Sequence, residues 1–146
     1  IEKIDLENIP VVITDRQIAT FGEDGRYHLR IAVLGYPSLI SEKGFFSAPA
    51  KPKEYHISKM ISEDVAIVKG YSLQEEIENK FPLLARPYII LSLLWIKYGI
   101  GFCQNETCFF SDSHTTESLL KSKSGKITLC NYHKDEISKI KEKIKD

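Results

Sequence analysis

The chain has 146 residues, of which 42% are hydrophobic and 27% charged, an ordinary balance for a folded globule that argues against disorder. Twenty basic and twenty acidic side chains cancel, which removes any whole-protein electrostatic case for nucleic-acid binding. The longest apolar run, Tyr88 to Ile96, is interrupted by Ser92 and followed by Lys97, well short of the ~20 residues a membrane span needs.

The length suits one domain over 1–146. Val11-Val12-Ile13-Thr14 is a short β-rich run between Pro10 and Asp15-Arg16, and it reads as a buried strand. Glu23-Asp24-Gly25 marks a turn, and Tyr27 to Leu34 then alternates before turning apolar, a second strand. Residues 35–56 carry Gly35, Pro37, Gly44, Pro49 and Pro52 around Phe45-Phe46 and predict a long loop. Val65-Ala66-Ile67-Val68, closed by Gly70, predicts another buried strand. Ser72-Leu73-Gln74-Glu75 has the spacing of a capping box and predicts a short helix to about Phe81. Arg86-Pro87 opens the clearest helix, because proline suits a first helical turn. Residues 88–98 are apolar almost all round, so this helix should be central and buried, ending at Gly99 and Gly101. A last amphipathic helix over about 134–146 puts Ile137, Ile140 and Ile144 on one face. Interleaved strands and helices give an α/β or α+β class, a small mixed sheet packed on helices.

All three cysteines lie in residues 103–130, as Cys103-x4-Cys108 and, 21 residues later, Cys130-x2-His133. Zinc takes four tetrahedral N/S ligands, and two short-spaced pairs from separate segments are a common way to supply them. A Cys3His set leaves no open position, so it predicts one structural Zn2+ in a knuckle over 103–133 rather than a catalytic ion. Such an ion contributes on the order of 10–16 kcal/mol of apparent binding free energy to folding its segment. His114, in the intervening loop, is the rival fourth ligand. An odd number of thiols suits metal binding better than a closed disulfide set and points to a reducing, cytoplasmic setting.

From Ser92 to His133 the chain resembles the archaemetzincins, zinc proteases of the metzincin type. Their motif runs H-E-x-x-H-x-x-G-x-x-H-C, then C-x-M after four residues, then a loop and a final C-x-x-C. Aligned on Cys103, Gly99 matches the turn glycine, Cys108 the next cysteine, and Cys130 and His133 the last pair, with His in place of the final Cys. The resemblance implies a metzincin-like fold. It also implies that the catalytic zinc ligands fall at Ser92, Ile96 and Phe102, the general base at Leu93 and the underlying methionine at Phe110. Helix residues four apart lie about 40° apart on one face, which lets two histidines grip one ion. Here those positions offer a hydroxyl and a hydrocarbon, and Leu93 cannot take a proton from water. The implied protein is a pseudoenzyme that keeps the knuckle. An unrelated zinc-knuckle domain, with the apolar helix as ordinary core, remains the alternative.

The expected role is therefore binding of a protein or peptide partner, with Phe45, Phe46, Tyr55, Phe109 and Phe110 either filling the former cleft or lining a groove. Two rival roles remain. One is a zinc-stabilised nucleic-acid accessory module, since residues 121–146 hold 8 Lys against 4 acids. The other is an enzyme with relocated chemistry. His28, mid-strand, and His56, beside the loop, read as surface residues.

Overall fold

A computed structural model describes residues 11–146, and of residues 65–71 the backbone alone. In chain order the elements are β1 (Val11–Thr14), β2 (Ile18–Phe21), β3 (Tyr27–Arg30), β4 (Ala32–Val33), β5 (Ser38–Ser41), α1 (Glu42–Ser47), α2 (Lys53–Ile61), α3 (Glu63–Asn79), α4 (Phe81–Tyr98), α5 (Thr116–Ser124) and α6 (Asn131–Lys145). The class is α+β, with small sheets and six helices among the described residues.

Strand β5 lies in the middle of a three-stranded sheet, parallel to β1 and antiparallel to β4. Its Ser-Leu-Ile-Ser sequence buries Ile40 and two serines. Both hydroxyls are satisfied, as burial requires. Ser38 Oγ donates to the Gly35 carbonyl, and Ser41 Oγ donates to the Arg16 carbonyl at 2.6 Å. Ser41 also caps α1 by accepting from the Gly44 amide. Gly44 is required by space: a β-carbon there would stand 2.9 Å from Ile31 Cα. This close approach seats Phe45 in the core.

The 35–56 stretch is thus not a long loop but β5, α1 and the start of α2. The pattern is hidden because α1 is a single capped turn and a half, held by packing rather than by periodicity. The second expected strand is divided: β3 pairs with β2 as a hairpin whose Tyr27 is 76% exposed, and only Ile31 and Ala32 turn into the core. Strand β1 is half-buried rather than buried.

Residues 65–68 form part of helix α3, not a strand. Four apolar residues carry no usable period, and Glu63 and Asp64 ahead of them complement a helix N-terminus. With the helix already running, Ser72 and Glu75 sit inside it, and the capping box caps nothing.

Helix α4 starts at Phe81, one and a half turns before the expected Arg86-Pro87. Pro82 occupies the first turn, where its missing N–H costs nothing. Pro87 lies inside and removes one helical bond, a cost offset by burial of Leu84, Ala85 and Tyr88 around it. The helix is not buried all round: Leu83, Ile90 and Leu93 face solvent, Leu93 at 46% exposure. Its inner face serves two apolar clusters. Leu84, Ala85 and Tyr88 join Ile40, Phe45 and Leu119 in one. Leu91 joins Ile100, Cys108, Phe109 and Phe110 in the other. Phe102 touches both and meets the Tyr88 ring edge-on, with centroids 5.9 Å apart. Of the stripe on α6, Ile137 and Ile140 pack on the second cluster while Ile144 is 73% exposed, because the helix runs past the body it covers.

This one-sided burial sets an expected contrast. Leu84→Ala should cost about 2–5 kcal/mol, whereas Leu93→Ala, on the outer face, should stay within about 0.5 kcal/mol. Urea melts of the two variants measure both.

Candidate metal centre

The four expected ligands come from three chain segments, and each is placed by local geometry. Gly99, at φ 69°, ends α4 in the left-handed conformation that glycine adopts without cost. The Ile100 amide then reaches back to the Leu94 carbonyl, a Schellman-type stop that throws the chain off the helix. Cys103 follows and is bridged to Ser111, with the Asp112 amide donating to the Cys103 carbonyl. Cys108 sits at the end of a turn in which Asn105 Oδ1 accepts from the Thr107 amide and the Asn105 carbonyl accepts from the Cys108 amide, the local closure that Asn favours. Cys130 is the N-cap residue of α6, and His133 lies in the first turn of that helix, fully buried.

The ligand atoms of Cys103, Cys108, Cys130 and His133 all lie within 4.8 Å of one another. His133 Nδ1 is 3.2 Å from Cys130 Sγ and 3.5 Å from Cys108 Sγ. A tetrahedral zinc ion spaces its sulfur and nitrogen ligands by roughly 3.5–3.8 Å, so the donor set and its spacing fit one zinc. The tautomer fits as well. His133 Nε2 is 3.0 Å from the Gly101 carbonyl, which can only accept. Nε2 therefore carries the proton, and the Nδ1 lone pair faces the thiols. Cys108 Sγ accepts from the Phe110 and Cys130 amides, each at 3.4 Å.

The ionisation states follow from the same surroundings. Burial pushes the Cys103 thiol up to about 12, and the neighbouring Cys108 and Cys130 add to the rise. Burial also opposes ionisation of Cys130, but the His133 amide and the Cys108 and Cys103 thiols donating to it outweigh that, and its pKa falls below the ordinary thiol value. Burial holds His133 below the ordinary imidazole value of 6.5, against the Gly101 carbonyl and together with the Lys123 charge. Without metal the cluster holds protons that zinc must displace.

The other sequence candidates lie elsewhere. His114 is exposed, with its backbone carbonyl accepting from the Ala50 amide, so His133 and not His114 completes the set. His28 pairs with Asp24 at 2.9 Å on the surface, and His56 lies against Tyr55. Ser92 is buried and its hydroxyl donates to the Tyr88 carbonyl at 2.7 Å. Leu93 points outward. Phe110 is buried against Phe109 and the His133 ring. Phe45, Phe109 and Phe110 are core residues, not a groove lining.

Sequence reasoning misses two participants. One is the Gly101 carbonyl, which has no side-chain signature. The other is Lys123 on α5, a helix that the sequence pattern does not announce. Lys123 is 1% exposed. The available signal was its position four residues after Leu119, on the helix face that packs inward.

Residues 2–140 match the family described as "Probable metallopeptidase family (DUF6775)", and the chain belongs to that family. No curated protein matches the chain, and no solved structure does.

Metal removal should be felt in folding. A ligand at a thousand-fold excess over its Kd stabilises by about 4 kcal/mol, so stripping zinc with a chelator should lower Tm by roughly 8–16 °C for a chain of this size. Acid should act in the same direction. The folded state disfavours the His133 imidazolium, so the unfolded chain binds the proton more readily. Stability should therefore be full above pH 6.5 and lost as pH falls from there through the depressed folded value of His133. Thermal melts between pH 5 and 8, with and without zinc, measure both effects.

Proposed function

We propose that this member of the metallopeptidase family is a catalytically inactive, archaemetzincin-like protein that retains a structural zinc and works by binding a protein or peptide. The chemistry of the α4 positions carries this reading. Where the metzincin pattern needs three imidazoles and a carboxylate, the chain has Ser92, Ile96, Phe102 and Leu93. Ser92 Oγ is spent on the Tyr88 carbonyl, and neither an alkyl chain nor a phenyl ring coordinates zinc. Leu93 is no base. Phe102 and Phe110 add support, since both belong to the apolar packing where a third histidine and a methionine would stand.

In this reading zinc is architectural. Four protein ligands leave no open coordination position for water or a scissile carbonyl. What the centre does is hold the end of α4, the 103–112 loop and the start of α6 together. The binding surface is the outer face of α4, where Leu83, Ile90 and Leu93 are exposed and where an apolar partner would find area to cover. A reducing cytoplasm suits three free thiols.

Purified protein should contain about one zinc per chain by elemental analysis and should cleave no peptide from a mixed fluorogenic library, even with excess zinc. Hydrolysis that follows the binding of a second zinc would overturn the proposal.

A further inference from the structure

Lys123 is a buried cation that the knuckle alone does not explain. Its Nζ donates to the Phe109 carbonyl at 2.7 Å, the Ser111 carbonyl at 2.7 Å and Ser111 Oγ at 3.1 Å. The Tyr88 ring closes the remaining side, with its centroid 5.5 Å from Nζ. Both carbonyls can only accept, so two N–H groups of Lys123 are committed to the 109–111 backbone, and the Ser111 hydroxyl meets Nζ as a third polar partner. Among the described residues no Asp or Glu pairs with it. A buried charge without a partner is costly, so the surroundings must supply negative potential. The loop it grips supplies it. Phe109 and Ser111 directly follow Cys108, and Ser111 is bridged to Cys103. The titratable groups facing Lys123 are Cys108, Cys103 and Asp112, which oppose the lowering of its pKa by burial, with His133 beyond them. Zinc with three thiolates and one neutral imidazole carries a single net negative charge.

We propose that Lys123 is the counter-ion and positioning residue of the metal centre: its ammonium balances the zinc–thiolate charge and, through the Phe109 and Ser111 carbonyls, holds the 108–111 turn in the shape that presents Cys108 beside Cys103. The proposal rests on the reading of the Cys3His set as a zinc site. It adds a ligand-supporting residue from α5, so that zinc affinity becomes a property of α5 packing as well as of the four ligands. Lysine suits this place because its compact head is small enough for the space between the 109–111 turn and the Tyr88 ring and its N–H groups are not confined to one plane, as those of arginine's guanidinium are.

The test is zinc affinity by competition with a chromophoric chelator, for the wild type, Lys123→Met and Lys121→Met. Lys121 is exposed on the same helix and controls for net charge. Lys123→Met should bind zinc about 10–100-fold more weakly, the usual cost of losing a supporting partner. Its cobalt-substituted form should keep a three-thiolate absorption spectrum. Lys121→Met should stay within about twofold of wild type, as a screened surface charge does. Unchanged affinity in Lys123→Met would overturn the proposal.

If that variant does not fold, the wild-type protein labelled with 15N-lysine decides. In the zinc-loaded state Lys123 should give an exchange-protected ammonium signal at neutral pH, and chelation should abolish the protection. A signal that ignores zinc, or none at all, would count against it. Wild-type protein that takes up no zinc would instead remove the zinc site itself, and with it the functional reading above.

Discussion

His133 is held at both ring nitrogens, and the C-terminal half of the molecule is organised around that fact. Nε2–H donates to the Gly101 carbonyl, just past the end of α4, while Nδ1 faces the sulfurs of Cys108 and Cys130. One side chain at the start of α6 thus ties together the end of the central helix, the 103–112 loop and its own helix. Two of these contacts are long-range, spanning 32 and 25 residues of chain, while the third spans 3. Closing loops of that length is entropically expensive, and the segments closed have little regular structure of their own to repay it. A metal that binds only the closed form is the kind of stabiliser such a region needs.

Helix α4 is the beam on which both halves rest. Its inner face contributes to two apolar clusters, one shared with the sheet and α1, the other with the metal loop and α6. Tyr88 is the hinge between them, edge-on to Phe45 at 5.3 Å and to Phe102 at 5.9 Å. The metal centre is therefore not an appendage. Cys108 is itself a core residue of the second cluster, packed with Phe109 and Phe110, while Cys103 and Cys130 are half-buried against it. Burial raises the Cys103 pKa and lowers that of His133. The same low-polarity surroundings make a supporting cation at Lys123 valuable.

Within the metallopeptidase family, the proposed loss of catalysis and the retention of the knuckle have one physical logic. A catalytic zinc needs an open coordination position and a base, and is dispensable to folding. A closed Cys3His centre is the reverse. On that proposed reading, Phe102 places packing surface where a metal ligand would otherwise stand, which forgoes chemistry and gains burial.

Much of the metal set could be read from the chain directly. Two short-spaced pairs of soft ligands leave few other chemical interpretations, and glycine at 99 has a conformational reason to end a helix. The strand at 11–14, the end of α4 and a helix near the C-terminus were legible for the same reason: each depends on residues close in sequence. The 35–56 and 65–68 segments were not. A short capped helix, or four apolar residues without a period, takes its conformation from what it packs against, and Gly44 matters only because Ile31 stands next to it. Which face of α4 meets solvent was likewise invisible, since every face is apolar. The choice of His133 over His114, the orienting Gly101 carbonyl and the burial of Lys123 all depend on contacts between residues 12 to 32 positions apart, and distances across that much chain exist only once the molecule is folded.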